Sequence, residues 1–157
     1  IFTGARLNEI LTLRWDHLDV ERGYAHLSDR KTGAKTIYLN PPALSILREL
    51  PRVTGNPFVI VGERAGRHLV NAQKPWRKIR ALAQLPDLRI HDLRHSFASV
   101  GAGAGLGLPV IGALLGHSQA ATTQRYAHLA ADPLKQASDL IAAELTKALT
   151  GSSENPP

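Results

Sequence analysis

Ile90-His91-Asp92-Leu93-Arg94-His95-Ser96-Phe97-Ala98 opens a run that reads as helix from His91 to about Ala104. On its C-terminal side the helical pattern resumes at Pro109 to Leu115, Ala120 to Leu129 and Pro133 to Leu149. The breaks between these segments are Gly105-Leu106-Gly107, Gly116-His117-Ser118 and Asp132-Pro133. On its N-terminal side, residues 71–84 place Trp76, Ile79, Leu82 and Ala83 on one side of a helix, with Lys74, Arg77, Lys78 and Arg80 mostly on the others. The glycines of Val100-Gly101-Ala102-Gly103-Ala104-Gly105 lower the local helix propensity and predict a less rigid stretch. The last segment aligns Leu134, Ala137, Ile141, Leu145 and Ala148 on one stripe, suited to docking on a neighbour or to capping its own core.

Further toward the N-terminus the period changes. Thr3-Gly4 reads as a break before a helix carrying Leu7, Ile10, Leu11 and Leu18. Tyr24-Ala25-His26-Leu27 and Thr36-Ile37-Tyr38-Leu39 are β-favouring and flank a polar stretch, which predicts a small antiparallel sheet with a hairpin tip at Lys31-Thr32-Gly33. Pro41-Pro42 suits the first turn of a helix bearing Leu44, Ile46, Leu47 and Leu50. Phe58-Val59-Ile60-Val61 is either a short buried strand or an apolar loop.

The 157 residues fit one domain, 1–149, with the composition of a disordered tail at 150–157. Residues 1–100 hold 16 basic and 9 acidic side chains, whereas 101–157 hold 3 and 4. A basic body with a near-neutral end points to a polyanionic partner. The absence of cysteine excludes disulfides, thiolate zinc sites and a cysteine nucleophile. No run approaches the ~18 apolar residues of a membrane span, so a cytoplasmic protein is expected. With no methionine and an opening at Ile1-Phe2-Thr3-Gly4, the chain reads as a piece of a longer protein.

Several chemical-looking patterns fail. Gly101-Ala102-Gly103-Ala104-Gly105 lacks the third glycine of a dinucleotide fingerprint and follows no strand. Lys31-Thr32-Gly33 has no separate Ser-x-x-Lys partner, since Ser28-Asp29-Arg30-Lys31 shares its lysine. His91 and His95 are spaced as a metal pair, but Asp92 stands where a zincin needs glutamate and a third ligand is not evident. There remains a dispersed set, Arg6, Lys31, His91, Arg94, His117 and Tyr126, each ordinary alone.

Taken in order, these residues resemble the tyrosine recombinase (phage integrase) family. Thr3-Gly4-Ala5-Arg6-Leu7-Asn8-Glu9 is similar to its Thr-Gly-x-Arg-x-x-Glu element, and Ile90 to Ala98 to its His-x-x-Arg helix. Leu114-Leu115-Gly116-His117-Ser118 is similar to its Leu-Gly-His element, and Thr122-Thr123-Gln124-Arg125-Tyr126-Ala127-His128 to its nucleophile segment. Lys31 stands where the family has a hairpin lysine. The resemblance covers residues 1 to about 130 and implies a mainly α (α+β) catalytic core with a small antiparallel sheet. It also implies a site-specific DNA recombinase of bacterial or phage origin, associated with the nucleoid, acting as four protomers on double-stranded DNA without metal or cofactor. The family's DNA-clamping N-terminal domain has no counterpart in this sequence.

The implied roles suit the residue types. Tyr126 attacks the phosphodiester and is left carrying the 3′ phosphate. Arg6 and Arg94 hold the non-bridging oxygens through forks that stay protonated, with His117 as a third donor. Lys31 protonates the leaving 5′ oxygen. His91 assists proton transfer at the tyrosine and helps hold the phosphate, while Glu9 and Asp92 orient the arginines. Lys74, Arg77, Lys78 and Arg80 form a candidate DNA-tracking helix face. Two rivals stay open: a type IB topoisomerase-like enzyme, and a DNA-binding module that does not cleave.

Overall fold

The computed structural model describes residues 1–29, 33–129 and 133–151. Alternation builds the N-terminal lobe. β1 (Leu18–Asp19), β2 (Tyr24–Asp29) and β3 (Gly33–Tyr38) form an antiparallel sheet in that order. The register sets Ala25 opposite Ile37 and Leu27 opposite Lys35. Because side chains alternate between faces, Ala25 and Ile37 share one face, and the chain carries the pattern on into Leu39. These three pack with Leu13 and Val59 into a first apolar cluster.

Short helices frame that sheet. α1 is brief, Leu7–Leu11, and is followed by a 3-10 turn at Trp15–His17 where the leucine spacing had suggested a helix reaching Leu18. α2 (Pro41–Glu49) starts as the proline pair predicts, with the Asn40 side chain accepting from the Ala43 amide at 3.2 Å. Phe58 to Val61 is an apolar loop held by isolated bridges, Arg14 with Phe58 and Val61 with His68.

The C-terminal lobe is helical: α3 (Gln73–Leu82), α4 (Ile90–Gly103), α5 (Leu108–Leu115) and α6 (Ala120–Gln124) precede α7 (Pro133–Gly151). Ala98, Ala102, Ile111, Leu115 and Tyr126 form its core. Alanines one turn apart on α4 leave room for Ile111 and Leu115 of α5, both essentially sealed from solvent. Each such side chain contributes about 1.5–3 kcal/mol through burial. The glycine-rich stretch continues α4 as far as Gly103, so propensity yields to packing there.

Three expectations are revised. The segment 120–129 is not one helix: α6 stops at Gln124 and a 3-10 turn spans Ala127–Leu129, which sets Tyr126 at the joint. The apolar side expected for α3 is not buried, since Ile79 is 54% and Leu82 87% exposed, and only Trp76 and Arg80 turn inward. On α7, Leu134, Ile141 and Leu145 are exposed, so that helix does not cap the core through them. α7 runs through Gly151, and the rest of the tail, 152–157, lies outside the described residues. Among the described residues no helix is long and apolar enough to cross a membrane.

Candidate active site

The two lobes meet where the N-terminal loop presses on α4. Gly4 adopts a left-handed φ of 62°, and a Cβ there would stand 2.6 Å from Phe97 Cδ1 and 2.9 Å from a Leu115 methyl. Glycine alone satisfies both the dihedral and the approach. The contact delivers the Gly4 carbonyl to Arg94, whose Nη1 donates to it at 2.6 Å while Nη2 donates to Leu115 O at 2.7 Å. Arg94 is only 6% exposed. Burial and the charge of Arg6 hold its pKa below the ordinary arginine value, so the site concentrates positive charge at a desolvation cost.

The end of α5 explains why cations collect here. The last carbonyls of a helix have no intrahelical donors and carry the negative end of its dipole. Leu115 O accepts from Arg94 and, at 3.3 Å, from Lys35 Nζ; Gly116 O accepts from Arg6 Nη2 at 3.3 Å. Gly116 closes the helix in the left-handed conformation, φ 68°, and the His117 amide returns to Gly112 O at 2.9 Å. That reversal brings His117 back over α6, where its Nδ1 meets the buried Thr123 Oγ1 at 2.9 Å.

Glu9 ties the arginine to the sheet. It accepts from the Arg6 amide at 2.7 Å, from Arg6 Nη1 at 3.0 Å and from Lys35 Nζ at 2.7 Å. Burial works against its charge, but the Lys35 and Arg6 hydrogen bonds outweigh burial and hold its carboxyl below the usual range. Lys35 is shifted down by burial in spite of Glu9. Asp92 plays the matching part for a different arginine than expected: it accepts from the Arg89 amide at 2.8 Å and from Arg89 Nη2 at 2.8 Å. The Arg89 hydrogen bonds bring its carboxyl down to about 2.

Tyr126 lies in the helical core at 5% exposure, with its hydroxyl 2.6 Å from His95 Nδ1. His91 is exposed on the turn before, its ring edge-on to His95 at 4.8 Å between centroids. Burial, then His91, keeps His95 below the ordinary histidine value; burial, then Arg94, does the same for His117. Both rings are therefore biased toward the neutral form.

Arg6, His91 and Arg94 open onto one cleft of about 920 Å³, shared with Trp76, Arg80 and Arg89. Of the predicted set, the structure thus brings Arg6, Arg94 and His117 around one helix end, with His91 on the cleft wall and Tyr126 in the helical core with its hydroxyl on His95. Lys31 lies outside the described residues. Among the basic residues proposed for α3, Arg80 joins the cleft, while Lys74, Arg77 and Lys78 are exposed. Sequence reasoning passed over Lys35 and Thr123 and weighed His95 only as a metal ligand. For Lys35 a signal existed: two residues before Ile37 and four before Leu39, it falls on the inward face of its strand. His95 and Thr123 carried no such signal, because their partners are remote in sequence.

The arrangement offers paired guanidiniums and the His91 ring on a concave basic surface, with His117 directly after the α5 cap, a setting for a phosphodiester and its transition-state charge. Residues 1–132 match the model of the phage integrase family. Among curated proteins, the chain is 35% identical over 135 residues to a shufflon-specific DNA recombinase of Escherichia coli, covering 82% of this chain and 33% of that protein. It is 28% identical over 141 residues to tyrosine recombinase XerA of Pyrococcus furiosus, covering 86% of this chain and 49% of that one. The chain therefore spans half or less of the length of these relatives. Among solved structures, XerH site-specific recombinase bound to a palindromic difH substrate, a post-cleavage complex, superposes with a TM-score of 0.67 at 27% identity, over 90% of this chain and 43% of that one. By family match, relatives and fold together, the chain belongs to the phage integrase family of tyrosine recombinases.

Proposed function

We propose that the chain is the strand-cleaving and strand-joining part of a site-specific DNA recombinase. The carrying observation is the convergence of Arg6 and Arg94 on the carbonyls that end α5, with His117 next in the chain. A scissile phosphate in the cleft takes hydrogen bonds from guanidinium groups that backbone carbonyls and Glu9 hold in place, so little reorganisation is needed as charge develops. Tyr126 Oη attacks phosphorus, the bond to the 5′ oxygen breaks, and Lys31 protonates that oxygen. A 5′ hydroxyl from another strand then attacks the phosphotyrosine and regenerates the phenol. The bond energy is conserved, so no nucleotide cofactor enters the balance.

His91, which lines the cleft, helps hold the phosphate in this reading. Arg80 and Arg89, on the same wall, extend the basic surface along the DNA backbone, and Lys74, Arg77 and Lys78 continue it on α3. The exposed Leu134, Ile141 and Leu145 of α7 are available to a neighbouring protomer in a tetramer on paired duplexes.

The test is covalent capture on a pool of nicked duplexes that lose the short cleaved strand. The expected result is a protein–DNA adduct that survives denaturation and forms in excess EDTA. Tyr126→Phe should retain binding and form no adduct. An adduct of undiminished yield in that variant moves the nucleophile elsewhere, and binding with no adduct from the unaltered chain favours the non-cleaving module.

A further inference from the structure

A tyrosine phenol is a poor nucleophile while it keeps its proton. Some group must take the proton as the oxygen attacks. Among the described residues the phenolic oxygen has one hydrogen-bond partner, His95 Nδ1 at 2.6 Å. His91, the histidine of the His-x-x-Arg motif, stands beside that ring and not on the hydroxyl. We infer that His95 is the catalytic base that takes the phenolic proton from Tyr126 as its oxygen bonds to phosphorus. This inference rests on the reading of Tyr126 as nucleophile.

Atoms and protons balance in this step. The Oη–P bond forms, the bond from phosphorus to the 5′ oxygen breaks, the phenolic proton moves to His95 Nδ1, and the 5′ oxygen is protonated by Lys31. In the return step the incoming 5′ hydroxyl gives its proton to the neutral Lys31 amine as its oxygen bonds to phosphorus, the Oη–P bond breaks, and the His95 imidazolium gives its proton back to the phenol. A base needs a free lone pair at working pH. The charged groups facing His95 are His91, Asp92 and Arg89 on its own helix and Arg125 beside Tyr126. Burial, His91, Arg125 and Arg89 favour the neutral ring, and Asp92 alone opposes them. Asp92 is in turn occupied by Arg89, through hydrogen bonds from both the side chain and the amide. With Nδ1 accepting from the phenol, the remaining proton of the neutral ring sits on Nε2. The Tyr126 ring, 5% exposed in the helical core, keeps the hydroxyl on that lone pair.

The experiment compares the unaltered chain, His95→Asn and Tyr126→Phe on a nicked duplex selected by covalent capture, over pH 5.5–9.5. The asparagine amide can occupy the place of Nδ1 without titrating. The expected outcome is cleavage ~10²–10⁴-fold slower in His95→Asn at pH 7, the scale of a positioned base. Its rate should climb with pH well beyond the plateau of the unaltered chain. A difluorotyrosine at position 126, whose phenol ionises more readily, should restore most of the loss. A residue that merely supports the packing of Tyr126 would give a pH-independent deficit that the fluorinated phenol does not repair, and that result overturns the proposal, as does an unchanged rate. Should His95→Asn fail to fold, nitrogen NMR of the unaltered chain decides: His95 must show a bare Nδ1 and a protonated Nε2 at pH 7, and a protonated Nδ1 overturns the assignment. An adduct in Tyr126→Phe sinks the nucleophile reading, whereas full activity of His95→Asn with none in Tyr126→Phe sinks only the base. Absence of any capture by the unaltered chain removes both.

Discussion

Arg94 shows how one side chain serves stability and chemistry together. Its fork bridges the Gly4 and Leu115 carbonyls at 2.6 and 2.7 Å and so pins the N-terminal loop to the end of α5. A lysine keeps the charge but cannot span both acceptors in that geometry. Arg94→Lys should therefore lose at least one charge-assisted hydrogen bond, about 1.5–3 kcal/mol. In a chain of 157 residues that lowers the thermal midpoint by roughly 3–12 °C. Calorimetry checks the stability, and the adduct yield, expected to fall below detection, checks the chemistry. A midpoint unchanged from the parent would mean that the two carbonyls find other donors.

Among the elements, the C-terminus of α5 organises the site. Its exposed carbonyls attract Arg6, Arg94 and Lys35, and its left-handed cap turns His117 back toward Thr123. Gly116 has a φ of 68°, and an added Cβ would lie 2.7 Å from Lys35 Cε. Gly116→Ala should cost about 1–2 kcal/mol from the left-handed backbone alone, and it should also push Lys35 off Leu115 and loosen Glu9 from Arg6. Gly103 ends α4 with open space around it, and a Cβ added there would meet nothing within 4 Å. Gly103→Ala should therefore be neutral or stabilising by up to ~1 kcal/mol. Urea midpoints of the two variants measure the contrast, and similar losses in both would remove the special status of the α5 cap.

At the scale of the whole molecule, two histidines with depressed pKa values near a concentrated positive charge set a pH dependence. His95 and His117 have folded pKa values below the ordinary value of 6.5. The native state therefore binds fewer protons than the unfolded one just below pH 6.5. Their contribution to stability is complete above pH 6.5 and is lost as pH falls from there through the depressed folded values. The thermal midpoint should be lower at pH 5.5 than at pH 7.5, and His95→Asn and His117→Asn together should flatten that difference. Binding to DNA should meanwhile weaken steeply with salt, since the basic excess lies in residues 1–100, the part that contributes the cleft. A salt-insensitive affinity measured by titration would contradict a phosphate-tracking surface.

Periodicity and turn chemistry made most elements legible in the sequence: the β2–β3 pairing, the proline-started α2 and α5, and the long α4 all follow from local residue preferences. The motif residues were legible too, because a Thr-Gly-x-Arg or Leu-Gly-His string is read without knowing its surroundings. Which groups hold them was not. Arg94 and Gly4 are 90 residues apart, Arg6 and Gly116 are 110, Lys35 and Leu115 are 80, and His95 and Tyr126 are 31. No local propensity encodes such pairings; they arise when the sheet lobe and the helical lobe close on Gly4. The same holds for the outward face of α3 and the break before Tyr126, where packing against neighbours overrides a clean helical pattern. Residue identity and local conformation were thus determined along the chain, while the anchoring of the cations and the partner of the phenol were decided by tertiary closure, because hydrogen bonds between distant segments form only once the lobes have met.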